Sequence, residues 1–275
     1  MKKTLFILCL CLTLSLCAAC ATQNAMLPLP EDTQAAQQNA QQSAPAPEGT
    51  MPPYTCSITF ETVDEEVKAD DGTVILHIGG NFPIVEISNN EKAAELIYNE
   101  INDDVKDFTE EVGEVTQAAK ADYAERGVDF MPYGLDLHYN TERADQYCIS
   151  FSIDEYAFTG GAHPNPVLKG VTFDTATGKE LDFEDIVTDE KEAEDFVAAS
   201  IKAYLDANKD TFILFEDYAD HIGEILEEAE WYFTPTDFVI ICNENIVGPH
   251  AMGIIEIPIA YSDFLQLKSD YTVAK

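Results

Sequence analysis

The chain reads as an α+β protein of two tandem halves, each an antiparallel sheet with a packed helix. Short segments that alternate with period two occur in both halves, and each half holds a longer stretch whose apolar residues recur at three and four. Between them lies a glycine-rich turn, Phe158-Thr-Gly-Gly-Ala-His-Pro-Asn-Pro166. Gly160 and Gly161 can take the positive φ angles that a sharp reversal requires. The turn follows an alternating strand with Tyr147, Ile149, Phe151 and Ile153 on one face. A second strand over 167–174 turns again at Thr177-Gly178 into Leu181 and Phe183.

The chain begins differently. Lys2 and Lys3 precede an apolar run over 5–16, and Cys17-Ala18-Ala19-Cys20 closes it. A positive start, one apolar run and small terminal residues make a secretory signal over 1–19, too short for a spanning helix of roughly 20 residues. Ala18-Ala19-Cys20 resembles the lipobox of bacterial lipoproteins, with Cys17 where leucine is usual. That resemblance implies a lipid anchor at Cys20 and a place outside the cell on the bacterial membrane. Ala19-Cys20-Ala21 also fits ordinary secretion. Residues 20–53, rich in Gln, Ala and Pro, hold too little apolar surface to offset ordering entropy and read as a disordered tether.

Fifteen basic residues stand against 51 acidic ones, a formal charge of −36, and loss of Lys2 and Lys3 with the leader makes it more negative. Such a surface repels nucleic acid and anionic head groups and attracts metal ions, basic proteins or basic peptides. Solubility alone is the plainer account. Beyond Cys20 the cysteines are Cys56, Cys148 and Cys242. Cys56 lies in phase with Tyr54, Ile58 and Phe60 and reads as a small buried hydrophobe. Cys148 falls on the polar phase of its strand. One bridge among the three is left open, and none sits in a Cys-x-x-Cys pair of the kind that holds zinc.

In the first half, Tyr54 to Phe60 alternates and Thr73 to Ile78 follows, with Asp70-Asp71-Gly72 as the turn. Asn81-Phe-Pro-Ile-Val85 is extended. Ala94, Ile97, Ile101, Val105 and Phe108 then share one helical stripe, continued by Val112, Val115, Ala119 and Tyr123 up to Gly127, with a kink expected near Gly113. Leu135, Leu137 and Tyr139 return as a strand. This order, with Phe82-Pro83-Ile84, Ile97, Ile101, Asn102 and a strand ending in Thr159-Gly-Gly-Ala-His163, resembles the extracytoplasmic domain ahead of the catalytic domain in PdaC-type deacetylases. It also resembles the outer region of RsiV-type membrane proteins. The first domain is expected over 54–160.

In the second half, Phe173-Asp174, Thr177-Gly178-Lys179, Leu181 and Asp185-Ile186 resemble the start of the RsiV-like C-terminal domain, expected over 161–265 with a tail over 266–275. Asp189 with Glu192 resembles a capping box for a helix carrying Ala193, Phe196, Val197, Ile201, Tyr204 and Leu205. A second helix is expected near 222–230, and strands at Phe238 to Cys242 and Gly253 to Ala260. In the loop between those strands the family's Pro-Tyr-Ala-x-Gly pattern is met by Pro249, Ala251 and Gly253, with His250 in place of tyrosine. Ile259-Ala-Tyr-Ser-Asp-Phe264 is the family's usual ending.

Chemistry is sparse. His163 and His250 lie in loops beside glycines, where imidazole serves metal or acid–base work, but no HExxH or His-x-His accompanies them; His163 reads as closing its turn through a backbone hydrogen bond. Asp206-x-Asn208-x-Asp210-x5-Glu216 imitates a calcium loop, yet Thr211 stands where glycine is needed and Asp217 at the twelfth place. There is no GxSxG elbow, and Trp231 with Tyr232 and Phe233 reads as core. The candidate junction residues are Gly160, Gly161, His163, Pro249 and His250, with no catalytic residue, metal or cofactor assigned. The resemblance implies lysozyme sensing, but only Met1 to Lys3 precede the leader and no deacetylase segment follows, so sigma-factor control and deacetylation are not expected. The expected function is a non-catalytic envelope binding module for a cell-wall (peptidoglycan) component or a cationic protein such as lysozyme. The alternatives are a metal-dependent or hydrolytic enzyme using His163 and His250, and a structural lipoprotein without ligand.

Overall fold

The computed structural model describes residues 54–228 and 230–272; the expected leader, Cys20 anchor and tether lie outside them. The first strand, β1 (Cys56–Lys68), forms an antiparallel hairpin with β2 (Val74–Ile87). Gly72 supplies φ +88 at the turn, and the Thr73 amide donates to Asp71 Oδ1 at 3.0 Å. β2 runs on through Phe82-Pro83-Ile84. Helix α1 (Glu91–Arg126) buries Ala93, Ile97, Ile101, Phe108 and Ala119 on one stripe, continues through Gly113, and stops at Gly127, whose φ is +55. Strands β3 (Tyr133–Ala144), β4 (Cys148–Phe158) and β5 (Asn165–Asp174) complete a sheet of order β1-β2-β3-β4-β5.

This sheet is mixed, where an antiparallel one was expected. β2 and β3 are parallel, because the 36-residue α1 carries the chain back across the sheet between them, and parallel neighbours need such a crossover. The expected boundary at 160/161 falls in the β4–β5 turn, so β5 remains hydrogen-bonded to β4.

Beyond β5 come α2 (Phe183–Ile186), α3 (Glu190–Asn208), α4 (Ile222–Glu228) and strands β6 (Trp231–Phe233), β7 (Asp237–Cys242) and β8 (Ile255–Ala260). The three strands form an antiparallel sheet in chain order. Asp189 caps α3 by accepting the Glu192 amide at 2.9 Å, and Ala193, Val197, Ile201 and Leu205 are its buried stripe. Trp231 lies in the core, as its neighbours Tyr232 and Phe233 do.

β4 joins the two layers. Ile149, Phe151 and Ile153 enter the core under α1, whereas Cys148 enters the core of the second half. Cys148 is therefore fully buried and not on a polar face. Ser150, on the same side, shares a 2.6 Å hydrogen bond with Thr172 and accepts the Phe233 amide at 2.9 Å. The alternation that marks a solvated face here marks a face covered by the second sheet. β5 approaches β6 so closely that a Cβ on Gly170 would lie 1.9 Å from the Trp231 carbonyl oxygen. Among the described residues Cys56 and Cys148 are free thiols.

Arg143 of β3 crosses the same boundary. It is 3% exposed, pairs through Nε with Asp145 Oδ2 at 2.8 Å, and donates to Tyr261 Oη at 3.0 Å and the Tyr271 carbonyl at 2.5 Å. Its carbon Cζ sits 5.7 Å from the ring centres of both Phe233 and Tyr261. Removing one member of a buried ion pair leaves the other charge uncompensated, at a cost of about 3–5 kcal/mol. Arg143→Met is expected to lose about 3 kcal/mol in urea denaturation, and a loss under about 1 kcal/mol would show that Asp145 is solvated without it.

Candidate functional site

The β4–β5 turn and the β7–β8 loop meet. Gly160 turns the first with φ +84, and a Cβ there would stand 3.0 Å from Tyr133 Cε1. Gly161 does not take a positive φ, so one glycine makes the reversal that two were expected to share. In the second loop Pro249, with φ −70 and ψ 159, leads into a single 3-10 turn, His250–Met252, which Gly253 ends at φ +79. The Cβ of any residue at 248 would lie 2.4 Å from the Ile213 carbonyl oxygen, so this loop is packed tightly against the chain after α3.

The imidazoles of His163 and His250 stack face to face, centroids 3.8 Å apart and planes 25° from parallel. Nδ1 of His163 lies 2.8 Å from the Pro164 carbonyl oxygen and Nδ1 of His250 lies 2.5 Å from Glu244 Oε2. Carbonyl and carboxylate oxygens only accept, so each Nδ1 carries the hydrogen and, in a neutral ring, Nε2 carries the lone pair. The expected closing of the turn by His163 through the backbone is present. The Glu244 side chain is almost buried and the His250 ring about one-third exposed.

Asn243 aligns the two loops. Its Oδ1 accepts the Leu168 amide and its Nδ2 donates to the Leu168 carbonyl, both at 2.9 Å. One side-chain amide thus acts as a ladder partner for the outer edge of β5. The Gly170 amide donates to Glu230 Oε2 at 2.9 Å along the same edge. Neither Asn243 nor Glu244 stands out in the sequence: an Asn after an apolar strand signals a turn, not a bond to a residue 75 positions earlier.

Two imidazoles on one ion point their nitrogens at a centre about 2.0–2.1 Å away, whereas these rings lie flat on one another. Among the described residues no group of three or more His, Cys, Asp or Glu side chains is arranged to hold a metal ion. The calcium-like run is spent otherwise. Asp206 binds Lys202 Nζ at 2.7 Å and the Tyr218 hydroxyl at 2.6 Å, and Asn208 donates to the Tyr204 carbonyl at 2.8 Å, closing α3. Burial pushes the Cys56 thiol up to about 11 and the Cys148 thiol up to about 12, so neither is a thiolate nucleophile at neutral pH. What the pair offers is two Nε2 atoms on a fixed, two-loop platform. Asn243→Ala leaves both Leu168 backbone groups without their partner, so it is expected to cost about 1–3 kcal/mol and to remove the mutual ring-current shifts of the two imidazoles in proton NMR; retention of those shifts would show that the stack holds itself.

Two family models match in tandem. The one described as Deacetylase PdaC covers residues 70–166, taking in α1 and the His163 turn. The one described as Protein of unknown function (DUF3298) covers residues 184–262, taking in α3 to β8. Among solved structures, a member of the DUF3298 family from Bacteroides fragilis aligns at 18% identity over 78% of this chain and 95% of its own, with a TM-score of 0.61. A DUF3298 family protein from Pseudomonas aeruginosa PAO1 aligns at 15% identity over 80% of this chain and 98% of its own, with a TM-score of 0.49. The first of these likenesses is one of fold. None of the curated proteins matches this chain.

Proposed function

We propose that this chain, which belongs to the proteins carrying a PdaC-type domain followed in tandem by a DUF3298 domain, is a cell-envelope module that binds a cationic protein. The observation that carries this reading is the charge and its distribution. The formal charge is −36, and many of the cations are already neutralised: Lys68, Lys169, Lys179, Lys191, Lys202 and Arg126 each pair with a carboxylate. The excess of carboxylates along α1, α3 and β1 steers basic partners toward the head and repels anionic ones. An anchor at Cys20, with residues 20–53 as tether, holds that head outside the membrane. A basic lysozyme is the partner implied by the likeness to RsiV-type proteins.

Titration calorimetry of the full chain with a basic lysozyme at low ionic strength tests this. Binding is expected, weakening about tenfold or more when salt shortens the Debye length from roughly 30 Å to roughly 8 Å. No binding at low salt would end the cationic-protein reading and turn the search to peptidoglycan fragments.

The stacked imidazoles support a second reading, a hydrolytic envelope enzyme with His250, oriented by Glu244, as its base. Incubated with peptidoglycan fragments, the native chain would release products seen by mass spectrometry, and His250→Ala would slow release about a hundredfold. Absence of turnover by the native chain removes this reading.

A further inference from the structure

We infer that β1 is a docking edge for an extended, basic segment of a partner protein, which would add a strand to the five-stranded sheet. The inference rests on the cationic-partner reading and names the surface that serves it. β1 ends the strand order, with β2 on one side and, among the described residues, no strand on the other. The Ser88 amide donates to the Thr55 carbonyl at 2.9 Å, and an antiparallel ladder alternates with period two. Odd-numbered residues of β1 therefore bond inward to β2, while Ile58, Phe60, Thr62 and Asp64 turn their amides and carbonyls outward.

The edges at β5 and β8 are blunted. Along β5, the backbone of Leu168 is taken by Asn243 and the Gly170 amide by Glu230. β8 carries Pro258, which has no amide hydrogen to offer. A 13-residue strand whose outer edge is unpaired among the described residues is a template for pairing with another chain.

Charge selects the occupant. Glu61, Asp64 and Glu65 of β1 form no ion pair among the described residues, while Glu66 is shared by Lys68 at 3.1 Å and His77 at 3.8 Å. Two copies of β1 side by side would set these carboxylates against one another, which destabilises a strand pair. A strand rich in Lys or Arg relieves that repulsion. Beside β1 a cavity of about 90 Å³ is lined by Glu61 of β1, by Phe82 and Ile84 of β2, and by Tyr98, Ile101 and Val105 of α1, among others. Of these, Ile84 is 44% and Tyr98 54% exposed. A space of that size admits one small aliphatic side chain. Backbone pairing supplies affinity and such a socket supplies register in strand addition, so the fitting segment alternates basic and aliphatic residues.

The test uses the full chain and an eight-residue peptide of alternating Lys and Val, with an N-methylated version that keeps the charge but lacks alternate amide hydrogens. The unmodified peptide is expected to bind, to slow hydrogen exchange at Ile58, Phe60, Thr62 and Asp64, and to lose at least about tenfold in affinity on N-methylation, the equivalent of about 1.4 kcal/mol. Equal affinity of the two peptides, or no binding of either, overturns the docking edge. Protection of the same amides by self-association of the chain alone also overturns it. A basic lysozyme that binds while the two peptides behave alike leaves the cationic-partner reading standing and removes only this surface. Lysozyme failing while N-methylation still discriminates does the reverse.

Discussion

The guanidinium of Arg143 is the interaction on which the joining of the two sheets depends. The ladder between β3 and β4 slips between Thr141 and Arg143, and a bulge of this kind re-aims the side chains beside it. The Arg143 side chain thereby turns away from the first sheet and meets Tyr261, Tyr271 and the ring of Phe233, all from the second half. Its counter-ion is local: Asp145 takes Nε with one oxygen and the amides of Tyr147 and Cys148 with the other. A buried charge is costly unless every donor is met, and Arg143 offers five in a fixed fork. The second half has to arrive in one register for the fork to be filled, so the ion pair contributes specificity of docking beyond its own net energy.

The rest of the boundary repeats that logic with neutral groups. Ser150 and Thr172 satisfy each other and the Phe233 amide, and Gly170 lets the Trp231 carbonyl come within what would be a clash for any side chain. The turn Thr177-Gly178 is fixed in the same way from the other side: Asn90, just ahead of α1, donates to the carbonyls of Thr175 and Ala176 at 3.0 and 2.9 Å, and a Cβ at 178 would lie 2.5 Å from the Ala93 carbonyl oxygen. With both ends of β5 held, the His163 turn has little freedom relative to the β7–β8 loop. The imidazole stack is the end of this chain of constraints.

Local periodicity made much of this legible. The stripe from Ile97 to Ala119 needs only a period near 3.6, Asp189 ahead of Glu192 is a cap that the sequence announces, and Asp71-Gly72 is a turn by composition. What escaped depends on distant partners. The parallel pairing of β2 with β3 is decided by where a 36-residue helix returns the chain. Cys148 and Ser150 alternate like a solvated face because a small polar residue suits a tight polar interface as well as it suits water. β6 is three residues long, below the length at which alternation can be recognised. His163 and His250 could each be placed in a loop, but their contact is set by Asn243 bonding back to Leu168, which no spacing reveals.

The acidic surface has a thermodynamic side as well. Uncompensated like charges lower the stability of the compact state, and the exposed pairs of Lys191 with Asp195 and Lys202 with Asp206 return at most about 1 kcal/mol each. The chain offsets that repulsion with its apolar cores and a buried ion pair, and leaves most carboxylates of α1 and β1 in solvent. A cation that binds the folded head removes part of the repulsion as it binds, so it stabilises the fold by mass action and by charge neutralisation together. An acidic head therefore gains from a basic partner where a neutral head of the same fold would gain only the contacts, and the open, carboxylate-bearing edge of β1 is where both gains fall on the same residues.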